Sequence, residues 1–347
     1  MPSADFTGHF QRVIRWRKCI MPSPTVGATY NALIDFRHQG RYHMKRCAAL
    51  LGAIAIALFV GSAAFPAEGA TAPDCPNGGT VNLGAIPAED MSQLLPIFQR
   101  IGNLIAARLN CDVVVRTGTS YTAVIEAMRA HRVDVASFGA FSYVLAHQVA
   151  GAEAVAAFAA ADGKPGSYFA SITTWPGSGI TTLPQVKGKA FAFSDPASTS
   201  GHLIPSYALV KAGIDPAKDI TPFYTGSHTA SFEALRNHKV PVGELNSIAI
   251  AGATLAGSYR PEDYVTLWQS PPIPNGPFAV RGDLSPTFKV RLTQVLRTLD
   301  LTSLPAKDMK FLGRRDSHAL APVDDHSYDG IRDVVSVLHL DLNKMTD

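Results

Sequence analysis

The sequence predicts an α/β protein of two lobes with a ligand cleft between them. Three observations carry this. The chain has 347 residues, room for about two domains of 100–200 residues each. It is 46% hydrophobic and 17% charged, so it can bury a core and is no disordered polyelectrolyte. From residue 80 onward, β-branched runs alternate with segments whose apolar residues recur at helical spacing.

The first strand is Thr80–Ile86, and a helix follows over Glu89–Leu109, with helical spacing through Leu94, Leu95, Phe98, Ile101, Ile105 and Leu109. Asp112–Arg116 is a β-branched run, and Tyr121–His131 is a helix with Val124, Ile125 and Met128 facing the core. Strand Val133–Phe138, helix Phe141–Val149 and strand Ala154–Phe158 complete a first unit, before residues 162–167 (DGKPGS) break the pattern. A second unit begins with strands Tyr168–Thr174 and Lys189–Phe193 and helix Thr199–Ala212, closed by Gly213. It continues through Ile220–Tyr224, His228–Asn237, Val240–Gly243, Ser247–Ala256 and Tyr264–Gln269. A helix over Pro286–Leu299 precedes a tail with little pattern. Such alternation predicts parallel sheets with helices on both faces. The expected organisation is residues 78–165 as lobe 1, 166–272 as lobe 2, and 273–347 as a return to lobe 1 with C-terminal helices. The return crossing is expected near Ser270–Pro277. Ligands in such folds sit beyond the carboxyl ends of the strands, where helix N-termini converge.

The N-terminal residues read differently. Lys45 and Arg46 precede a charge-free run from Ala48 to Phe65, and small residues surround Ala64 and Ala67. That is the pattern of a secretory signal peptide over residues 44–67, cleaved after Ala64 or Ala67; an uncleaved membrane helix is the alternative. Residues 1–43 then form a non-native extension ahead of a true start at Met44. Residues 1–67 hold eight Lys/Arg and two acids. Removing them turns the net charge of +3 into −3, with 23 cations against 26 carboxylates. A nucleic-acid partner loses its support. Of four cysteines, Cys75 and Cys111 remain, and an oxidising compartment lets them pair. They lie just before the first and second strands, which a parallel sheet would bring side by side. No C-x-x-C pair exists, so a zinc ribbon is excluded.

The richest chemistry lies in residues 194–205, Ser-Asp-Pro-Ala-Ser-Thr-Ser-Gly-His-Leu-Ile-Pro, between a strand and a helix. Ser198, Thr199 and Ser200 place three hydroxyls beside the unpaired N–H groups of a first helical turn, and Gly201 is expected to let a ligand approach the backbone. This makes an anion cradle of neutral donors and a helix dipole. A plain Ser/Thr cap is the alternative, for which one hydroxyl suffices.

Six collinear motifs between about residues 80 and 300 resemble the phosphonate/phosphite/phosphate-binding proteins of ABC importers. They are Gly84–Pro87 with Glu89-Asp90, Tyr121–Glu126, Val133-Asp134 with Phe138–Tyr143, Ser194–Gly201, Gly226–His228 and Ser270–Pro277. The resemblance implies a type II periplasmic-binding-protein fold that closes on its ligand by hinge motion. It assigns the grip on the phosphonate oxygens to Ser198, Thr199 and Ser200, with Tyr121, His228 and Tyr168 as further donors. It implies a small phosphorus oxyanion as ligand, the membrane subunits of an ABC importer as partners, a monomer, and no cofactor. Members that bind aminoalkylphosphonates carry acids at two positions that here are Ile248 and Gly276, although Glu244 is near enough in sequence to substitute. A buried ammonium without a carboxylate is costly. The expected ligand is therefore phosphite, methylphosphonate or phosphate rather than 2-aminoethylphosphonate.

Enzyme readings find little. There is no G-x-S-x-G elbow, H-E-x-x-H helix or phosphate-binding loop, and the only base in sequence reach of the serines is His202. Asp324, Asp325 and His326 are the densest group of possible metal ligands and read as a solvated tail. A periplasmic ligand-sensing protein is the main alternative and a phosphoester hydrolase a remoter one.

Overall fold

The computed structural model describes residues 74–314 and 317–345. The expected extension at 1–43 and signal peptide at 44–67 lie outside the described residues. In chain order the first elements are β1 (Thr80–Ala85), α1 (Met91–Leu109), β2 (Asp112–Thr117), α2 (Tyr121–Arg129), β3 (Val135–Ser137), α3 (Ala140–Ala150) and β4 (Ala152–Phe158). A short crossing strand and a second unit follow: β5 (Ser167–Tyr168), β6 (Ala170–Thr174), β7 (Ala190–Phe193), α4 (Ile204–Lys211), β8 (Thr221–Tyr224), α5 (His228–Arg236), β9 (Val242–Asn246), α6 (Ser247–Leu255) and β10 (Val265–Gln269). The chain then returns through β11 (Ile273–Pro274), β12 (Pro277–Arg281), α7 (Pro286–Arg297), α8 (Ala306–Phe311), β13 (Leu320–Pro322) and α9 (Asp329–Val337).

The strands form two sheets, one per lobe, ordered β13-β4-β12-β3-β1-β2 and β10-β6-β9-β7-β8. Parallel pairing, as expected, joins β1 to β2 and β3, and β7 to β8 and β9. The expectation of wholly parallel sheets is wrong. β12 inserts antiparallel between β3 and β4, and β6 runs antiparallel to β9 and β10. The reason is topological. The right-handed parallel rule applies to a crossover within one sheet. β6 and β12 are instead the first sheet strands after the chain has crossed between lobes, and they enter from the opposite end. The crossings themselves pair as a ribbon, Tyr168 opposite Ile273 and Ser167 opposite Pro274. The Asn275 side chain ties it to lobe 1 by donating to the Phe158 carbonyl at 2.9 Å.

Each sheet is covered on both faces. In lobe 1, Leu83, Ile101, Ile105, Phe278 and Leu292 fill one side, and Ile125, Met128, Phe141 and Tyr143 the other. In lobe 2, Ile172, Phe191, Leu209 and Val242 oppose Phe232, Leu235 and Leu245 across the sheet. Cys75 and Cys111 form a disulfide with Cα atoms 6.0 Å apart, at the open end of β1 and β2. Asp324 caps the turn at Ser327, while Asp325 accepts from Tyr143 and pairs with Arg332, so these acids brace the tail against lobe 1. Among the described residues no helix is long and apolar enough to cross a membrane.

Candidate functional site

The cleft is built from turns that leave the carboxyl ends of strands. β7 runs into Asp195-Pro196, where the Asp195 carboxylate accepts from the Ala197 N–H at 2.8 Å and, across the cleft, from the Tyr121 N–H at 3.2 Å. The Ser198 hydroxyl then accepts from the Gly201 N–H at 3.1 Å. The Leu203 N–H reaches the Ser198 carbonyl, so residues 199–203 form one π-turn before α4. Such wide turns recur at functional sites. Here it leaves the Thr199 and Ser200 N–H groups without a protein acceptor among the described residues. Gly201 does not face a ligand, contrary to expectation. A Cβ there would meet Ser194 Oγ at 1.8 Å and His228 Cε1 at 2.8 Å, so the glycine lets the turn pack on its own lobe.

Each of the three hydroxyls is buried and already accepts a hydrogen bond. Thr199 Oγ1 accepts from the Phe141 N–H at 2.8 Å, closing the N-terminus of α3 across the cleft. Ser200 Oγ accepts from Asn246 Nδ2 at 3.1 Å, and the other end of that amide caps α6. A hydroxyl fixed by its acceptor lone pair keeps its proton to donate.

His228 opens α5. Gly226 takes a left-handed conformation (φ 91°) that turns the chain, and Ser227 caps the helix through the Ala230 N–H. The His228 Nε2 lies 3.3 Å from Ser198 Oγ and 3.5 Å from Ser200 Oγ, while Nδ1 lies 2.9 Å from the Glu244 carboxylate. Burial alone would lower the imidazole pKa. The Glu244 carboxylate outweighs it, with Glu89 and Asp195 adding, and holds the ring up to about 8. At neutral pH both ring nitrogens then carry protons. Glu244 is therefore not the carboxylate that could face a ligand's ammonium group. It is fully buried behind His228. The strand reading that stopped at Gly243 hid this, because β9 continues to Asn246 and carries both Glu244 and Asn246 beneath the cleft.

Glu89 is a site residue that sequence reasoning passed over as part of a helix start. Its carboxyl lines the cavity and accepts from Thr229 Oγ1 at 2.8 Å, and burial raises its pKa to about 7. Thr229 Oγ1 also accepts from the Asp90 N–H at 3.1 Å, and the His228 N–H donates to the Ala88 carbonyl at 2.9 Å. These bonds sew the two lobes together beside the cavity.

Tyr121 and Tyr168 are buried, and burial raises both phenols, so they remain proton donors. Together with Ser198, Thr199, Ser200 and His228 they line a single cavity of about 130 Å³. The six residues expected to act together are thus brought together by four different segments of both lobes. Ile248 supplies an apolar wall, and Gly276 packs against lobe 1, where a Cβ would meet the Phe138 carbonyl oxygen at 1.9 Å. His202, the base expected nearest the serines, instead lies 2.7 Å from the Pro196 carbonyl through Nδ1 and packs on Phe193 and Tyr224. Burial lowers its pKa to about 4. The base that does approach a serine is His228.

Comparison with known proteins agrees with this architecture. The profile of the family described as "ABC transporter, phosphonate, periplasmic substrate-binding protein" matches residues 83–328. The phosphate-import protein PhnD of Mycolicibacterium smegmatis is 28% identical over 279 residues, covering 74% of this chain and 85% of that protein. A binding protein component of an ABC phosphonate transporter from Pseudomonas aeruginosa superposes with a TM-score of 0.66 at 26% identity, covering 75% of this chain and 86% of that one. PhnD1 of Prochlorococcus marinus, in complex with methylphosphonate, shares the fold with a TM-score of 0.66 at 21% identity, over 76% of this chain and 99% of its own. The chain belongs to the phosphonate periplasmic substrate-binding proteins of ABC transporters.

Proposed function

We propose that the cavity captures a small phosphorus oxyanion, namely phosphate, phosphite or a short alkylphosphonate, and that the closed protein delivers it to the membrane subunits of an ABC importer. One observation carries the reading. Three buried hydroxyls, two unpaired backbone N–H groups and a protonated imidazole line the same cavity. Tetrahedral oxyanions present several acceptors at once, and charge-assisted bonds to them are the strong class. Weak binding of 2-aminoethylphosphonate is expected from Ile248 and Gly276 and from the engagement of Glu244 by His228, which leave Glu89, itself bonded to Thr229, as the carboxyl in the lining. Calorimetric titration with methylphosphonate, phosphite, phosphate and 2-aminoethylphosphonate tests this; tightest binding of the amino compound refutes it.

A cleavable signal at residues 44–67, translation from Met44 and a monomeric mature protein complete the proposal. Mass measurement of the exported protein checks the first two. The alignment of Ser198, His228 and Glu244 has the connectivity of a hydrolytic triad. The ring held protonated to about pH 8 favours its use as a donor to an oxyanion rather than as a base. Release of nitrophenol from a nitrophenyl phosphate ester would reverse that assignment.

A further inference from the structure

Arg314 is the cation of the cavity that the motifs do not explain. Helix α8 ends at Phe311 with Leu312 as its C-cap, Gly313 takes the left-handed conformation (φ 70°), and the Arg314 N–H returns to the Met309 carbonyl while the Gly313 N–H returns to that of Lys310. This is a Schellman termination, and it fixes where the arginine leaves the helix. The side chain lines the cavity. One terminal nitrogen donates to Asn275 Oδ1 at 2.7 Å, and the guanidinium sits 5.4 Å from the centre of the Phe158 ring. Its Nε is buried without a hydrogen-bond partner. Among the described residues its hydrogen-bond partner is Asn275 rather than a carboxylate, and burial lowers its pKa to about 10, with Tyr168 the one titratable group that counters this.

Among the described residues neither carboxyl near the hydroxyl cluster forms an ion pair with Arg314: Glu89 accepts from Thr229, and Glu244 lies against His228. Tyr168 lines the same cavity as both the Ser198–Ser200 turn and Arg314. Apolar side chains of Phe98, Phe158, Leu94, Leu312 and Ile248 complete this part of the lining. One water needs about 10–15 Å³ of such space. The cavity of about 130 Å³ is roughly ten times that and has room for a ligand of several heavy atoms.

Resting on the phosphorus-oxyanion reading of the hydroxyl cluster, we infer that Arg314 and Asn275 form a second anion subsite, so that the ligand class includes phosphonates bearing a carboxylate on a short carbon linker. The guanidinium is a planar fork suited to a carboxylate. The apolar wall takes the methylene groups between the two anionic ends. The same cation repels an ammonium substituent. This extends the expected preference from substituents without charge to substituents of negative charge.

The test is calorimetry on the mature protein at neutral pH with methylphosphonate, phosphonoacetate and 3-phosphonopropionate. One of the two carboxylated probes is expected to bind about tenfold or more tighter than methylphosphonate, the range of a charge-assisted hydrogen bond. In Arg314→Gln that ratio collapses towards one, and in Arg314→Lys it is partly retained. The inference is overturned if neither carboxylated probe surpasses methylphosphonate in the native protein, or if Arg314→Gln weakens all three ligands equally. The first arm needs no variant, so it stands even if Arg314→Gln folds poorly. Methylphosphonate binding that Ser200→Ala weakens, without a carboxylate advantage, removes the second subsite and leaves the first intact. Failure of every phosphorus compound to bind removes both.

Discussion

Ser198, Thr199, Ser200 and His228 are each held by a second residue, and that pairing sets what a substitution costs. Ser200 is held by Asn246, Thr199 by the α3 N-terminus, and His228 by Glu244. Replacing Ser198, Thr199 or Ser200 with Ala is expected to weaken oxyanion binding by about 1–3 kcal/mol each, read by calorimetry. His228 makes binding depend on pH. Its proton is lost above about 8, and the nearby Glu89 becomes charged above about 7. Both changes disfavour an anion. Affinity for a ligand already doubly ionised should therefore fall from pH 7 to pH 9, and Glu244→Gln should shift that fall to lower pH. Folding linkage has the same sign. Both groups have pKa values raised above the ordinary 6.5 and 4.5, so their contribution is complete below those values and is lost as pH rises through about 8 and about 7. A lower melting temperature of the free protein at pH 8 than at pH 6 is the expected mark of these two groups. Whereas His228 is assigned through the resemblance of the Gly226–His228 motif, the serine turn could be read from the residues because three hydroxyls and a glycine sit together at a helix start. Glu244 and Arg314 could not, because nothing local marks a residue whose partner lies many positions away.

Elements bring those residues into register. Strand and helix periodicity located the elements from β1 to β10 and α7, since buried faces impose a period of two or 3.6. It passed over β12, where only a crossing was expected, and it missed the antiparallel sense of β6, which depends on where the chain re-enters a sheet and leaves no periodic trace. It also read α4 as a plain helix from Thr199, because a π-turn keeps the same apolar face while widening only the first turn. The segment between α1 and α5 is where closure can be tested. Thr229 bonds Glu89 and Asp90 across the cleft, so Thr229→Val is expected to weaken ligand binding by about 1 kcal/mol per bond lost, with little effect on either lobe's own core. Gly276 makes a sharper case. Its Cβ position is occupied by the backbone of residues 138 and 139, so Gly276→Ala should push the crossing segment off lobe 1 and lower both melting temperature and affinity.

At the scale of the whole molecule, two α/β lobes with separate cores share one cavity, and the cavity exists only where both contribute. The net charge of +3 across the full chain says little about this cavity, whose lining holds hydroxyls, His228 and Arg314. The disulfide Cys75–Cys111 closes 36 residues of lobe 1 far from the cleft. Chain-entropy reasoning gives about 4 kcal/mol for a loop of that size. Reduction should therefore lower the melting temperature while ligand affinity at 25 °C stays the same, a separation that differential scanning calorimetry and titration can read together. The most direct measurement is a crystal structure of the protein grown with methylphosphonate. The account predicts phosphorus-bound oxygens within hydrogen-bonding distance of Ser198, Thr199, Ser200 and His228 Nε2, with the methyl group towards Tyr168 and Ile248. A phosphonate bound outside this cavity, or bound within it without contact to the Ser198–Ser200 turn, would contradict it.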